Sequence, residues 1–326
     1  MTVTIAGAGA WGTALGLILQ RGGHSVTFWG HDAAHLDEMR RSRQNERYLP
    51  GIELPGTWAY ESDICRAVSG SECLVVAVPS KAIRVVAGQL GDYSGIVVSV
   101  TKGIEFDTGL TMCGVLGKTA PRASIAALSG PSLAQEVARG VPTAVVAASE
   151  NPEIAQVVQR SFHGKTFRVY TSTDLVGVEM GGALKNVVAV AAGVCDGFGF
   201  GDNSKASLLT RGIVEIRRLG VACGAQPETF SGLSGLGDLT VTCFSKLSRN
   251  RGLGERVGHG EKLQDILSSS VAVAEGYPTA RSAFQLARKL KVGTPIIDEV
   301  HAVLYEGKSV ARGLHDLMSR ESKAED

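Results

Sequence analysis

The sequence predicts two unlike parts: an α/β domain on a doubly wound parallel sheet over residues 1–174, and an all-α domain over residues 175–326. Three observations predict this division. Apolar strand-like runs alternate with helical stretches up to about residue 175, the order that builds a parallel sheet covered on both faces. The first strand runs into a glycine-rich turn that opens a helix. Beyond residue 175 the strand signal stops, and helix-period segments rich in small residues take over.

The opening stretch sets the frame. Val3-Thr4-Ile5-Ala6 is an apolar strand, followed by Gly7-Ala8-Gly9-Ala10-Trp11-Gly12 and the helical Thr13 to Leu19, then a second β-rich run from His24 to Trp29. The glycines fit G-x-G-x-x-G. Gly7 lets the chain turn out of the strand, Gly9 has no Cβ to hold a pyrophosphate away, and Gly12 lets the helix sit close to the sheet. The helix then directs unpaired N–H groups and the positive end of its dipole at phosphate. This is the fingerprint of a dinucleotide-binding Rossmann domain. An acidic residue about 20 residues beyond the glycines would bind the adenosine ribose of NAD. Here the second strand ends in Trp29-Gly30-His31-Asp32, with no carboxylate directly at its end. His31 is a candidate donor to a 2′-phosphate and Asp32 leaves NAD open, so the cofactor is NAD or NADP.

Further along, His35 to Gln44 reads as a charged surface helix and Tyr48-Leu49-Pro50-Gly51 as a turn. Ser62 to Val68 is a short helix, Cys73 to Val78 a buried strand stopped by Pro79, and Lys81 to Leu90 a helix. Gly95 to Val100 is a strand with Lys102 and Gly103 just past its carboxyl end, where ligands of such sheets bind. Ser124–Leu128 and Thr143–Ala148 are expected to continue the parallel sheet. The loop Ser129-Gly130-Pro131-Ser132 offers backbone N–H groups and a hydroxyl at the same edge, and Ala134 opens the next helix.

In the second part, Asp174 reads as a helix N-cap and Leu175 to Val194 as a long helix. Its Gly181, Gly182 and Lys185 share one face at i, i+3, i+4 spacing. One ammonium on a stripe without side-chain bulk, amid apolar residues, is poorly explained as a solvated lysine. Ser204 to Gly224 is a second long helix, and Lys262 to Leu317 is mostly helical, with a start at Pro295-Ile296. Asp238 is a buried-looking carboxylate in Gly235-Leu236-Gly237-Asp238-Leu239. Ser248, Arg249 and Asn250 bring a hydroxyl, a guanidinium and an amide together, the chemistry of a phosphate cradle.

Composition excludes other classes. The chain has 326 residues, 44% hydrophobic and 20% charged, with a formal net charge of +1. Such a balance offers no electrostatic footprint for nucleic acid or an acidic membrane surface. None of the six cysteines forms a C-x-x-C pair. They read as buried thiols in a reducing compartment, not zinc ligands or disulfides. No signal peptide opens the chain, and no uninterrupted apolar run approaches the roughly 18 residues a membrane helix needs. A cytoplasmic enzyme without a metal is expected. The tail from Ser319 to Asp326 is polar and expected to fray.

A dinucleotide domain followed by a helical domain suggests hydride transfer in the cleft between them. The protein then has to polarise a carbonyl and move a proton. Lys185 suits that role if burial and like charge from Lys102 and Arg249 lower its pKa. Asp238 would orient the ammonium or bind a substrate hydroxyl.

The sequence resembles the bacterial NAD(P)-dependent glycerol-3-phosphate dehydrogenase family, the soluble biosynthetic enzymes. The residues that carry the likeness run in order along the whole chain: Gly7 to Ala14, Thr101-Lys102-Gly103, Ser129 to Ser132, Gly181 to Val187, Gly235 to Leu239, Ser248 to Arg251 and Val273 to Tyr277. The resemblance implies reversible reduction of dihydroxyacetone phosphate to sn-glycerol 3-phosphate for glycerophospholipid synthesis. It implies cofactor contacts at Ala10, Trp11, His31, Lys102, Ala134, Arg249, Val273 and Glu275, beside the glycine turn. It implies substrate contacts at Lys102, Gly130, Ser132, Lys185, Asp238, Ser248, Arg249 and Asn250, with Lys185 as proton acceptor. Where the family often has serine with phenylalanine or tyrosine, this chain has Ala10 and Trp11, which leaves a backbone contact at position 10. A homodimer is the default expectation. The competing readings are another β-hydroxyacid-type dehydrogenase of a phosphorylated or carboxylated substrate, and a non-catalytic dinucleotide-binding redox sensor.

Overall fold

The computed structural model describes residues 1–269, 273–321 and 324. Of the tail expected to fray from Ser319 onward, residues 322, 323, 325 and 326 lie outside the described residues. The N-terminal part runs β1 (Thr2–Ala6), α1 (Ala10–Arg21), β2 (Ser25–Trp29), α2 (Ala33–Ser42), β3 (Gln44–Asn45), β4 (Leu49–Glu53), β5 (Ala59–Glu61), α3 (Ile64–Val68) and β6 (Cys73–Val76). It continues with α4 (Ile83–Ala87), β7 (Ile96–Ser99), α5 (Met112–Thr119), β8 (Ser124–Ser129), α6 (Ala134–Ala138), β9 (Thr143–Ala148), α7 (Pro152–Phe162) and β10 (Phe167–Ser172). Eight strands form one sheet in the order β10-β9-β8-β7-β6-β1-β2-β5. One apolar core lies between the sheet and α1, α2, α6 and α7, and another between its opposite face and α3, α4 and α5. The doubly wound class is as the alternation predicts.

Three local expectations need correction. Thr143–Ala148 is a strand, but it runs antiparallel to β8. The helix linking the two, α6, has five residues, and β8 has six. The chain does not return to the far edge of the sheet before the next strand: β9 starts beside the end of β8, with Val146 opposite Ser129 and Ala148 opposite Ala127. β10 then pairs parallel to β9. Tyr48–Gly51 is not a simple turn either: Leu49, fully buried in the core, begins β4, which folds back on β3 as a hairpin. The thiols are all free, but only Cys73, Cys113 and Cys243 are buried, and Cys65 is exposed.

The helical part consists of α8 (Leu175–Gly197), α9 (Asp202–Ala222), a π-helical turn (Leu233–Gly237), α10 (Asp238–Phe244), α11 (Arg249–Gly258), α12 (Leu263–Ser269), α13 (Gly276–Leu290), α14 (Pro295–Tyr305) and α15 (Val310–Met318). Asp174 caps α8 by accepting from Gly177 N at 2.9 Å. α8 is long and apolar enough to cross a membrane by length and composition alone. Here it is buried among α9, α10, α11, α13 and α14, and it organises the second core.

The close approach of α11 to α8 has a specific cause. Each helix carries two glycines four residues apart, Gly193 with Gly197 and Gly254 with Gly258. A Cβ on Gly193 would lie 1.9 Å from Arg251 O, and one on Gly254 1.9 Å from Val190 O. Backbone therefore meets backbone, the small-xxx-small arrangement that lets helices touch. This contact sets how far the start of α11 stands from Lys185. Gly254→Ala is expected to lower unfolding free energy by about 2–3 kcal/mol, as overpacking does, measured by urea denaturation. A variant as stable as wild type would show that the helices have room to spare.

Candidate active site between the sheet and the helical domain

The glycine turn has the geometry its residues dictate. Gly7 has φ +122, a left-handed conformation that favours glycine, and its amide donates to Trp29 O at 2.9 Å. A Cβ on Gly12 would sit 2.1 Å from Gly7 O, so α1 packs against the turn only because none is there. A Cβ on Gly9 would meet nothing within 4 Å. The backbone at Gly9 thus faces open space at the start of α1, room that fits a pyrophosphate on the helix N-terminus. Ala10 and Trp11 are half-buried beside it, and His31 is exposed past the end of β2. Asp32 is not placed as a ribose acceptor alone. Its carboxylate caps α2 by accepting from His35 N at 3.1 Å and pairs with Arg47 at 3.5 Å.

At the carboxyl edge of the sheet, Lys102 leaves β7 and lies across α8. Gly182 makes that possible: a Cβ there would stand 3.4 Å from Lys102 Cγ and 2.7 Å from Ser129 Oγ. Lys102 Nζ pairs with Asp238 Oδ2 at 2.5 Å and donates to Gly130 O at 3.3 Å. Ser132 Oγ donates to the same carbonyl at 2.9 Å. Lys185 Nζ pairs with Asp238 Oδ1 at 2.9 Å and donates to Thr242 Oγ1 at 2.6 Å. The Thr242 hydroxyl in turn donates to Asp238 O at 2.6 Å. Asp238 is 1% exposed and Lys185 6%. Two ammonium groups from different elements therefore share one buried carboxylate.

Lys185 is held at a pKa of about 8. Desolvation by burial is the main cause; the charge of Lys102 also lowers it, while Asp238 opposes both. Arg249 does not figure among the charges acting on Lys185, contrary to the expectation from sequence. The Arg249 side chain makes no hydrogen bond or ion pair among the described residues. Its guanidinium pKa is lowered by desolvation and partly restored by the charge of Glu275.

The neighbours expected to cradle phosphate are more occupied than the sequence implied. Ser248 Oγ accepts from Arg251 N at 3.2 Å as the N-cap of α11. Asn250 bridges two helices, donating to Asn186 Oδ1 at 2.8 Å and accepting from Gly276 N at 2.8 Å. Each keeps donor capacity, the Ser248 O–H and the second Asn250 N–H. Glu275 accepts from the Ser80 amide at 2.9 Å and from Ser80 Oγ at 2.6 Å, tying α13 to the sheet edge. Val273 is exposed before α13, and Ala134 is half-buried at the start of α6. Thr242 and Ser80 escaped the sequence reading. Thr242 is one helical turn from Asp238, and only the placement of α10 against α8 reveals it.

Residues 2–155 match the family described as NAD-dependent glycerol-3-phosphate dehydrogenase N-terminus, and residues 174–315 match the corresponding C-terminus. The chain belongs to this family. Among glycerol-3-phosphate dehydrogenases (NAD(P)+), it is 49% identical to that of Anaeromyxobacter sp. (strain K), with 100% of both chains covered. It is 46% identical to that of Chlorobium phaeobacteroides (strain BS1), covering 100% of this chain and 99% of that one. The crystal structure of glycerol-3-phosphate dehydrogenase from Coxiella burnetii superposes with a TM-score of 0.94 at 36% identity, covering 98% of this chain and 99% of that one.

If Lys185 exchanges the proton of a carbonyl–alcohol conversion in this cleft, its state fixes a pH dependence. Below about 8 the group is a proton donor, and above it a proton acceptor. Carbonyl reduction should therefore fall as pH rises through about 8, and alcohol oxidation should rise over the same interval, each read as kcat/KM. Profiles that stay flat between pH 7 and pH 9 in both directions would contradict a titrating lysine.

Proposed function

We propose that the chain catalyses the reversible NAD(P)H-dependent reduction of dihydroxyacetone phosphate to sn-glycerol 3-phosphate, with Lys185 as general acid and base. The observation that carries this reading is the buried Lys185 ammonium, lowered to about 8 and shared with Lys102 through Asp238. Membership of the glycerol-3-phosphate dehydrogenase family supports the substrate pair. The dinucleotide domain is taken as residues 1–174 and the substrate domain as 175–326.

The bound nicotinamide supplies the hydride. The glycine turn holds the pyrophosphate at the start of α1, with Ala10, Trp11, His31, Ala134, Val273 and Glu275 along the rest of the cofactor. Lys102, Gly130 and Ser132 meet the substrate from the sheet edge. Arg249, aided by the Ser248 hydroxyl and the Asn250 amide, takes the phosphate, since its guanidinium has no hydrogen bond or ion pair among the described residues and a fork suits phosphate. Lys185 Nζ gives a proton to the carbonyl oxygen as negative charge develops there, and recovers it in the opposite direction. Asp238 and Thr242 hold the nitrogen in place. Burial, helped by the charge of Lys102, keeps Lys185 from being a permanent cation, and Lys102 adds positive charge near the developing oxyanion. We place this chemistry in the cytoplasm, where it would feed glycerophospholipid synthesis; six free thiols accord with a reducing compartment.

Two variants separate the roles. Lys185→Ala should reduce kcat for dihydroxyacetone phosphate about a thousandfold and leave NADH affinity within about threefold. Turnover near wild type would remove Lys185 from the mechanism. Arg249→Ala should raise the KM for dihydroxyacetone phosphate at least about tenfold, the loss of one charge-assisted contact. An unchanged KM would place the phosphate elsewhere.

A further inference from the structure

The β3–β4 hairpin lies outside the glycine turn and its helix in sequence, yet it sends one side chain beneath them. Asn45 is fully buried. Its Nδ2 donates to Ala8 O at 3.0 Å and to Thr13 Oγ1 at 2.8 Å. Ala8 O can only accept, so the amide orientation is fixed with nitrogen toward the turn. Thr13 Oγ1, accepting from Asn45, spends its own proton on Gly9 O at 2.9 Å. Asn45 Oδ1 meets no donor among the described residues. The amide is therefore committed to the turn: one hydrogen goes directly to a carbonyl, and the other goes through a hydroxyl to the next carbonyl.

Peptide planarity makes the consequence specific. In a trans peptide the N–H points opposite to the C=O. Drawing the carbonyls of Ala8 and Gly9 toward Asn45 and Thr13, where the Thr13 N–H also meets Gly9 O at 3.0 Å, turns the N–H groups of Gly9 and Ala10 away from them; the backbone at Gly9 is unobstructed, since a Cβ there would meet nothing within 4 Å. A glycine turn has many accessible backbone states, since Gly7 and Gly9 carry no Cβ to restrict them. Gly7 N is held by Trp29 O and Gly9 O by Thr13 N, but without Asn45 the Ala8–Gly9 peptide between them would have to be ordered by the ligand, at the expense of affinity.

We propose that Asn45 is a positioning residue for cofactor binding: through Ala8 O and Thr13 it holds the glycine turn with its N–H groups directed at the dinucleotide pyrophosphate. This rests on the reading of the turn as the cofactor site. Aspartate has the same shape as asparagine but has no N–H to give: it would set a negative charge against the Ala8 carbonyl oxygen and draw the Thr13 hydroxyl proton away from Gly9 O. Valine at position 13 keeps the volume and removes the hydroxyl. Serine keeps the hydroxyl.

The test uses the full chain as wild type, Asn45→Asp, Asn45→Ala, Thr13→Val and Thr13→Ser. NADH affinity is measured by titrating nicotinamide fluorescence without second substrate. Thermal midpoint, kcat at saturating NADH and KM for dihydroxyacetone phosphate are measured alongside. Asn45→Asp and Asn45→Ala should weaken NADH binding at least about tenfold and Thr13→Val about fivefold, with Thr13→Ser near wild type. The kcat and the KM for dihydroxyacetone phosphate should stay within about twofold in the folded variants. If Asn45→Asp is unstable, Thr13→Val and Thr13→Ser carry the comparison. NADH affinity within twofold of wild type for Thr13→Val and either Asn45 variant would overturn the inference. So would a loss of kcat, substrate affinity and thermal midpoint together, which would make Asn45 a support of the fold only. A wild-type chain that binds no NADH would instead overturn the reading of the turn itself.

Discussion

Two lysine ammonium groups share one buried carboxylate, and the rest of the site is arranged around that fact. Coulomb repulsion and desolvation both work against having Lys102 and Lys185 charged together in a cleft. Asp238 offsets this with one oxygen for each nitrogen. The three residues come from the end of β7, the middle of α8 and the start of α10, so the pairing also docks the helical domain onto the sheet. The attraction is incomplete by design of the surroundings. Asp238 is outweighed by burial at Lys185, which leaves that lysine able to give and take a proton near neutral pH, whereas a solvated lysine would stay charged.

Glycine contacts supply the distances this arrangement requires. Gly181 brings α8 against the π-helical turn before Asp238, where a Cβ would lie 2.5 Å from Ser234 O. Gly182 admits the stem of Lys102. Gly276 lets α13 approach Asn186 O, where a Cβ would be at 2.6 Å, and so brings Glu275 to Ser80. The paired glycines of α8 and α11 fix the start of α11, and with it Arg249. Charge placement at the cleft thus depends on backbones that touch, and a small residue at each crossing is the sequence's way of writing that distance.

What could be read without coordinates was what depends on local chain geometry. The glycine turn is local: strand, turn and helix are contiguous, and each glycine's job follows from its place. Lys185 was legible because an ammonium in a run of Gly, Ala and Val has no solvated explanation. The direction of β9 was not legible, since Thr143–Ala148 has the composition of a buried strand either way and only its pairing with β8 shows the direction. Thr242 and Asn45 were hidden for a different reason. Each acts on a partner far away in the chain, Lys185 from α10 and the glycine turn from a hairpin, and nothing in their own neighbourhoods marks them. Ser248 and Asn250 were read as phosphate ligands from residue type; their helix-capping and helix-bridging bonds appear only once α11 is placed beside α8 and α13.

The central claim concerns the protonation of one nitrogen, and it can be measured without turnover. In protein carrying lysine labelled with ¹³C at Cε, with the Lys185 signal assigned by its loss in Lys185→Arg, the chemical shift is followed against pH. The account predicts a midpoint at about 8 for that signal. A midpoint above about 10, where an ordinary solvated lysine titrates, would contradict it.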